Sequence, residues 1–187
     1  MRNPSGPILL VYVSRDGQTQ RIAGRIAARI SVDTETVRAI NLDESMPSLS
    51  EIGNARLVVL IAAVRFGRHL KSGDRMLRRY CGLVQRPPLA LASVNLTARK
   101  PGKTTPQHNP YLRRWIRRYG LSPVLATAFA GRLNYPDCKR WEREAIRFIM
   151  WMTGGETDPN ARIEYTSWRA VDEFAEQIGT VARALTA

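Results

Sequence analysis

Cysteine is nearly missing from this 187-residue chain: Cys81 and Cys138 stand far apart, with no CxxC pair. That excludes a disulfide framework and a cysteine metal cluster, and it suits a reducing compartment. His69 has no His, Cys or acidic partner at ligand spacing, so no metal is expected. Long apolar runs are also missing. The longest, from Leu57 to Val64, is closed by Arg56 and Arg65, well short of the about 20 residues that a membrane-spanning helix requires. Residues Met1 to Pro7 lead straight into Ile8-Leu9-Leu10-Val11-Tyr12-Val13, without the apolar region and cleavage site of a signal peptide. Neither GxxxxGK(S/T) nor GxGxxG occurs, which removes support for ATP, GTP and dinucleotide binding. There is no internal repeat and no low-complexity tract.

Acidic residues are scarce where basic ones concentrate. From Arg65 to Trp151 there are 19 basic and 4 acidic residues, whereas the remainder carries 10 and 12. The formal net charge of +13 and the pI near 10.8 therefore describe one basic face rather than a uniform coat. Such a face selects an anionic partner: nucleic acid, an acidic membrane surface or an acidic small molecule. With 44% hydrophobic residues the chain has a core to bury and its length suits a single domain over 1–187.

Short β-branched and aliphatic runs predict strands over 8–13, 34–40, 56–64, 89–95 and 124–131. Helical periodicity lies between them. Ile22, Ile26 and Ile30 share a line over 18–30, residues 70–82 and 137–152 are helical, and Trp168, Val171, Phe174, Ile178, Ala182 and Leu185 form a stripe over 167–185. Alternating strands and helices, with central strands lacking polar alternation, describe a parallel sheet covered on both faces. The stretch 96–123 is the anomaly. It has seven basic residues, no acidic one and four prolines, and reads as a long loop with a short basic helix from Tyr111 to Tyr119. A loop of that length inside a domain is usually functional. Helix 137–152, with Trp141, Ala145, Phe148, Ile149 and Met152 on one side, reads as a sheet-covering helix in preference to a membrane-surface one.

Strand 8–13 runs into Ser14-Arg15-Asp16-Gly17-Gln18-Thr19 and then the first helix. A small-residue turn feeding a helix N-terminus leaves backbone N–H groups free for an anion, and Ser14 and Thr19 add hydroxyl donors. An ordinary turn with Asp16 or Ser14 as N-cap is the other reading of the same residues. In α/β sheets ligands sit beyond the carboxyl ends of the strands. There this turn meets Val64-Arg65-Phe66-Gly67-Arg68-His69 and Ser93-Val94-Asn95-Leu96-Thr97-Ala98. An aromatic ring, small residues and amides suit a flat heteroaromatic ring beside a phosphate. For His69 loop packing is the plainer role.

At these residues the chain resembles flavodoxin-like proteins. Taken with Ala98-Arg99-Lys100-Pro101, Thr105-Pro106-Gln107 and Thr153-Gly154-Gly155-Glu156-Thr157-Asp158, it resembles the menaquinone-dependent protoporphyrinogen IX dehydrogenases of haem synthesis over about residues 8–180. The resemblance implies a flavodoxin-like, doubly wound five-stranded parallel sheet of order 2-1-3-4-5 with a long basic insert beside strand five. It implies FMN, held by Ser14, Arg15, Asp16, Gly17, Gln18 and Thr19 at the phosphate. Val64, Arg65, Phe66, Gly67, Ser93, Val94, Asn95, Leu96 and Ala98 would stand along the isoalloxazine. It implies removal of six electrons from protoporphyrinogen IX and their transfer to menaquinone or ubiquinone. The family often has Tyr where Phe66 stands, and the extension through Pro7 has no counterpart.

Charge adds an expectation of its own. Arg99, Lys100, Lys103, Arg113, Arg114, Trp115, Arg117 and Arg118 of the insert are candidates for contact with the porphyrinogen propionates or with an anionic membrane surface. A peripheral location on the cytoplasmic face of the membrane follows, and an insert that the sheet does without. The competing readings are a flavodoxin-type FMN electron carrier or quinone reductase, and a nucleic-acid-binding module. Flavodoxin carriers are acidic, unlike this chain, and the basic residues carry no base-reading motif, so nucleic acid is not expected.

Overall fold

The computed structural model describes residues 5–32, 36–152 and 154–186. The chain runs β1 (Ile8–Val13), α1 (Gln18–Val32), β2 (Val37–Asn41), α2 (Leu49–Gly53), β3 (Leu57–Arg65), β4 (Arg68–His69), α3 (Lys71–Cys81) and β5 (Leu89–Val94). A 3-10 turn (Leu96–Arg99) follows, then α4 (Pro110–Tyr119), β6 (Leu125–Phe129), β7 (Arg132–Asn134), α5 (Arg140–Met152), β8 (Arg162–Glu164) and α6 (Trp168–Ala184). The aliphatic runs of β1, β3 and β5 are buried almost throughout because helices cover both faces of the sheet. The parallel order is β2-β1-β3-β5-β6, which in terms of the five runs is the expected 2-1-3-4-5. The expected second strand began at 34; the described strand begins at Val37, and 33–35 lie outside the described residues.

The helix faces sort by their apolar spacing. On one side Ile22, Ile26 and Ile30 of α1 meet Val171, Phe174, Ile178 and Ala182 of α6 over Ile8, Leu10, Leu57 and Val59. Arg25 and Asp172 close the seam with paired contacts of 2.7 Å. On the other side Met76, Leu77 and Tyr80 of α3 and Leu112 and Trp115 of α4 cover Leu9, Val11, Val58 and Leu60.

The segment 96–123 therefore departs from expectation. It lies beside the last strand, but it is the crossover that covers half of one sheet face. Leu112 is fully buried, Trp115 is 3% exposed and Leu121 is 8% exposed. The stripe Leu112-Trp115-Ile116-Tyr119 has i, i+3, i+4, i+7 spacing, and the arginines between its members obscure it in a reading by charge. Asn109 is fully buried, caps α4 by accepting from the Leu112 amide, and donates to the Lys103 carbonyl at 2.9 Å and the Asn95 side chain at 3.1 Å. A sheet left without this crossover would expose its central strands to water.

The excursion that the sheet does not need comes later, between β6 and α6. There β7 pairs antiparallel with β8, and α5 rests on a small core of Leu133, Tyr135 and Met150. Helix α5 does not cover the sheet: its buried residues are Glu142 and Met150, while Trp141, Phe148, Ile149, Trp151 and Met152 are exposed. Strands of three residues are too short to show alternation, so β7 and β8 leave no periodic signal in the sequence.

Leu112→Ala should lower unfolding stability by about 2–5 kcal/mol, and a Gly/Ser linker in place of 110–119 should abolish cooperative unfolding. Urea titration checks both; a linker variant with a near-parental midpoint would contradict the role given to α4.

Candidate functional site

The carboxyl ends of β1, β3 and β5 place three segments together, as expected. The first is the turn between β1 and α1. Gly17 has φ +75°, a left-handed conformation that a side chain rarely adopts, and no atom lies within 4 Å of where its Cβ would be. Helix α1 begins at Gln18 with no acidic residue in its first turn, so its positive N-terminal end suits an anion. Ser14 Oγ is buried without a hydrogen-bond partner, and Thr19 is 2% exposed. A buried orphan hydroxyl beside free helix amides is what a phosphate would satisfy. Gln18 is different. Its amide donates at 2.9 Å to Glu164 of β8 and at 2.9 Å to the Thr166 hydroxyl. Its side chain thus ties α1 to the β7–β8 pair and leaves only its backbone for the turn.

The second segment is a two-residue hairpin between β3 and β4, with Val64 opposite His69 and Arg65 opposite Arg68. Phe66 (φ 48°) and Gly67 (φ 76°) both have positive φ, the geometry that matches the twist of paired strands. Phe66 takes it as a bulky residue, against its preference. Its ring is 45% exposed and stacks on Trp141 of α5 with centroids 5.2 Å apart. Arg65 reaches across the sheet edge to Asp16 at 3.2 Å and to Glu142 at 2.7 Å. Burial favours the neutral Glu142 carboxyl, but the Lys139 amide and the Arg65 guanidinium outweigh it and hold the group below its ordinary pKa.

The third segment departs from expectation. Ser93, Val94, Asn95 and Ala98 are buried, so they offer a ring little side-chain surface. Ser93 and Asn95 spend their polar atoms inside the protein. The Ser93 hydroxyl lies 2.8 Å from His69 Nε2 and accepts from Asn95 at 3.0 Å. Asn95 caps the 3-10 turn by accepting from the Ala98 amide. Leu96 and Thr97 are the half-exposed residues of this loop. His69 packs as expected: its ring lies 3.8 Å from Trp115, nearly parallel. Burial pushes its pKa down to about 3, against the opposing charge of Asp74, so the imidazole is neutral at physiological pH.

Beside these segments opens a cavity of about 750 Å³, within the usual range for small-molecule sites. Of the residues singled out in the sequence it gathers Arg15, Arg65, Phe66, Gly67, Arg114, Trp115 and Arg118. Arg99, Lys100, Lys103, Arg113 and Arg117 are not on its wall. Trp115 is buried and forms part of the wall, so it is not available to a membrane. Arg68 of the hairpin and Tyr111 of the insert line it as well, and sequence reasoning missed Lys71, Asp74 and Glu142, which α3 and α5 bring in. Six cations face two carboxylates there, and both carboxylates are engaged. Asp74 accepts from Trp115 Nε1 at 2.8 Å and Glu142 pairs with Arg65. The cavity is thus a cationic chamber with aromatic walls. Among the described residues no group of acidic, His and Cys side chains could hold a metal.

A model of the flavodoxin domain family matches residues 9–160. Solved structures agree at the level of fold: an archaeal flavodoxin (TM-score 0.54, 12% identity, 95% of this chain and 99% of that one) and rubredoxin oxygen:oxidoreductase from Desulfovibrio gigas (TM-score 0.60, 16% identity, 98% of this chain and 38% of that one). Fold and family match thus define a flavodoxin-type domain. Two curated relatives are more similar in sequence. Protoporphyrinogen IX dehydrogenase (quinone) of Escherichia coli K12 is 32% identical over 91% of this chain and 93% of its own. The protein of the same name from Leishmania major is 34% identical over 99% of this chain and 80% of its own. The chain belongs to the protoporphyrinogen IX dehydrogenase (quinone) family.

Gly17→Val together with Thr19→Ala should reduce FMN affinity roughly 100-fold, as expected for losing hydrogen bonds to a charged group. Flavin content after dialysis checks it; a double variant that stays as yellow as the parent would place the phosphate elsewhere.

Proposed function

We propose that this protein is an FMN-dependent enzyme that dehydrogenates protoporphyrinogen IX to protoporphyrin IX and passes the electrons to a respiratory quinone at the cytoplasmic face of the cell membrane. The observation that carries the substrate assignment is the cationic cavity beside the phosphate turn. It is supported by the names of relatives that align over nearly the whole chain. An acidic electron shuttle needs no such chamber, and the net charge of +13 is of the wrong sign for one.

Ser14, Gly17, Thr19 and the amides of the turn would hold the FMN phosphate, and Phe66 with the half-exposed Leu96–Thr97 segment would flank the ring. The bound flavin supplies two-electron acceptor chemistry. The protein's own part is positioning. Arg68, Lys71, Arg114 and Arg118 offer charge-assisted hydrogen bonds to the two propionates of a porphyrinogen. Phe66, Tyr111 and Trp115 give it apolar walls. Neutral His69 is fixed by Ser93 and Trp115 and shapes the wall without carrying charge. Three successive two-electron dehydrogenations remove six hydrogens, and three quinones take them up as quinols. Among the described residues no helix is long and apolar enough to cross a membrane. Access to a lipid-confined quinone would then come from attraction of the basic face to anionic headgroups, about 1 kcal/mol per nearby Lys or Arg.

Arg114→Glu with Arg118→Glu should raise KM for protoporphyrinogen IX at least ~10-fold, from the loss of charge-assisted contacts, with flavin content unchanged. Steady-state porphyrin fluorescence measures it. An unaltered KM would remove the cavity from the substrate site.

A further inference from the structure

Helix α5 turns its apolar stripe away from the protein. Trp141 is 61% exposed, Phe148 58%, Ile149 48%, Trp151 70% and Met152 63%. Trp141, Phe148, Ile149 and Met152 fall at i, i+7, i+8 and i+11, one line along the helix, and Trp151 flanks it. The opposite side is already satisfied: Glu142 is paired with Arg65, and Met150 and Ile146 pack with Leu133 and Tyr135. The outward stripe is thus not a core face waiting for this chain to cover it.

The surroundings say what covers it. Lys139 and Arg140 at the start of α5 are exposed, as are Arg113, Arg114, Arg117 and Arg118 along α4. The two helices meet at the rim of one cavity, to which α4 contributes Arg114 and Arg118 and α5 contributes Glu142. The Phe66–Trp141 stack joins the stripe to the hairpin of the site. Cations beside an apolar stripe containing two tryptophans describe a helix lying in a membrane interface. A second copy of the chain fits less well. It would bring like-charged rims together, and a helix of 13 residues, about 20 Å long, presents less than the about 800 Å² per partner of a stable interface.

We propose that α5 is the membrane-docking element: it lies along the headgroup region of an anionic bilayer with Phe148, Ile149, Trp151 and Met152 in the acyl boundary, so that the cavity opens toward the lipid that holds the quinone. This inference rests on the reading of the protein as a peripheral quinone-reducing enzyme. The occupant of the stripe is lipid, and the cations of α4 and α5 set its preference for anionic headgroups.

The experiment uses FMN-loaded protein with two kinds of vesicle, phosphatidylcholine alone and an equal mixture with phosphatidylglycerol, at low and high salt. The parent should sediment with the anionic vesicles and be released as salt shortens the Debye length from about 10 Å at 0.1 M. Phe148→Glu with Trp151→Glu should bind at least ~10-fold more weakly, while keeping the parent's flavin content, melting temperature and turnover with a water-soluble quinone analogue. Brominated acyl chains should quench the parent's tryptophan fluorescence, and Trp151→Phe should lose part of that quenching. If the parent binds and the double variant binds equally well, α5 is not the docking element, although the peripheral reading survives. If the parent binds neither vesicle at low salt, that reading falls and the proposal with it. A dimer in sedimentation velocity that the double variant disperses would assign the stripe to a second copy and overturn the proposal.

Discussion

The Arg65 guanidinium is the tie on which the site depends. It sits at the carboxyl end of β3, 16% exposed as a side chain, and contacts Asp16 of the phosphate turn and Glu142 of α5. Three parts distant in sequence are thereby held in one arrangement: the sheet edge, the turn and the excursion between β6 and α6. A partly buried ion pair of this kind adds little net stability, because desolvation offsets its attraction. What it contributes is registry. Arg65 also lies over the Phe66 ring, with its guanidinium carbon 5.3 Å from the centroid, and so helps to fix the strained hairpin tip. The neutral His69, clamped between Ser93 and Trp115, does the same for the other wall of the cavity.

Charge then acts on two scales. Within the cavity, six cations stand against two engaged carboxylates, a local excess suited to an anionic tetrapyrrole. Over the molecule, the net charge of +13 gives a long-range positive field, of the sign that would attract anionic surfaces. Helix α4 carries cations on both scales: Arg114 and Arg118 line the cavity, while Arg113 and Arg117 stand beside them outside it. Under the proposed function, substrate capture and membrane approach would be properties of one face.

Much of this was legible in the sequence. The aliphatic runs 8–13, 56–64 and 89–95 became β1, β3 and β5 with boundaries shifted by at most a residue, because buried parallel strands carry an unbroken apolar signal. The turn between β1 and α1 was readable from Gly17 and its hydroxyl neighbours. Three things were not. Charge hid the Leu112-Trp115-Ile116-Tyr119 stripe, so a core helix read as a detachable contact loop. The roles of α4 and α5 were exchanged for the same reason: an amphipathic pattern gives the apolar side of a helix, not whether that side meets the sheet or solvent. Ser93 and Asn95 looked available as ring contacts, yet the network from His69 to Asn109 that consumes them exists only in three dimensions.

The central claim is that bound FMN is reduced directly by a porphyrinogen in the cationic cavity. Anaerobic mixing of FMN-loaded protein with protoporphyrinogen IX, without quinone, tests it most directly when flavin absorbance and porphyrin fluorescence are followed together. The account predicts bleaching of the flavin with one porphyrin formed for every three flavins reduced, and recovery of the flavin when a quinone is added. Flavin that stays oxidised while porphyrin forms no faster than in buffer would contradict it.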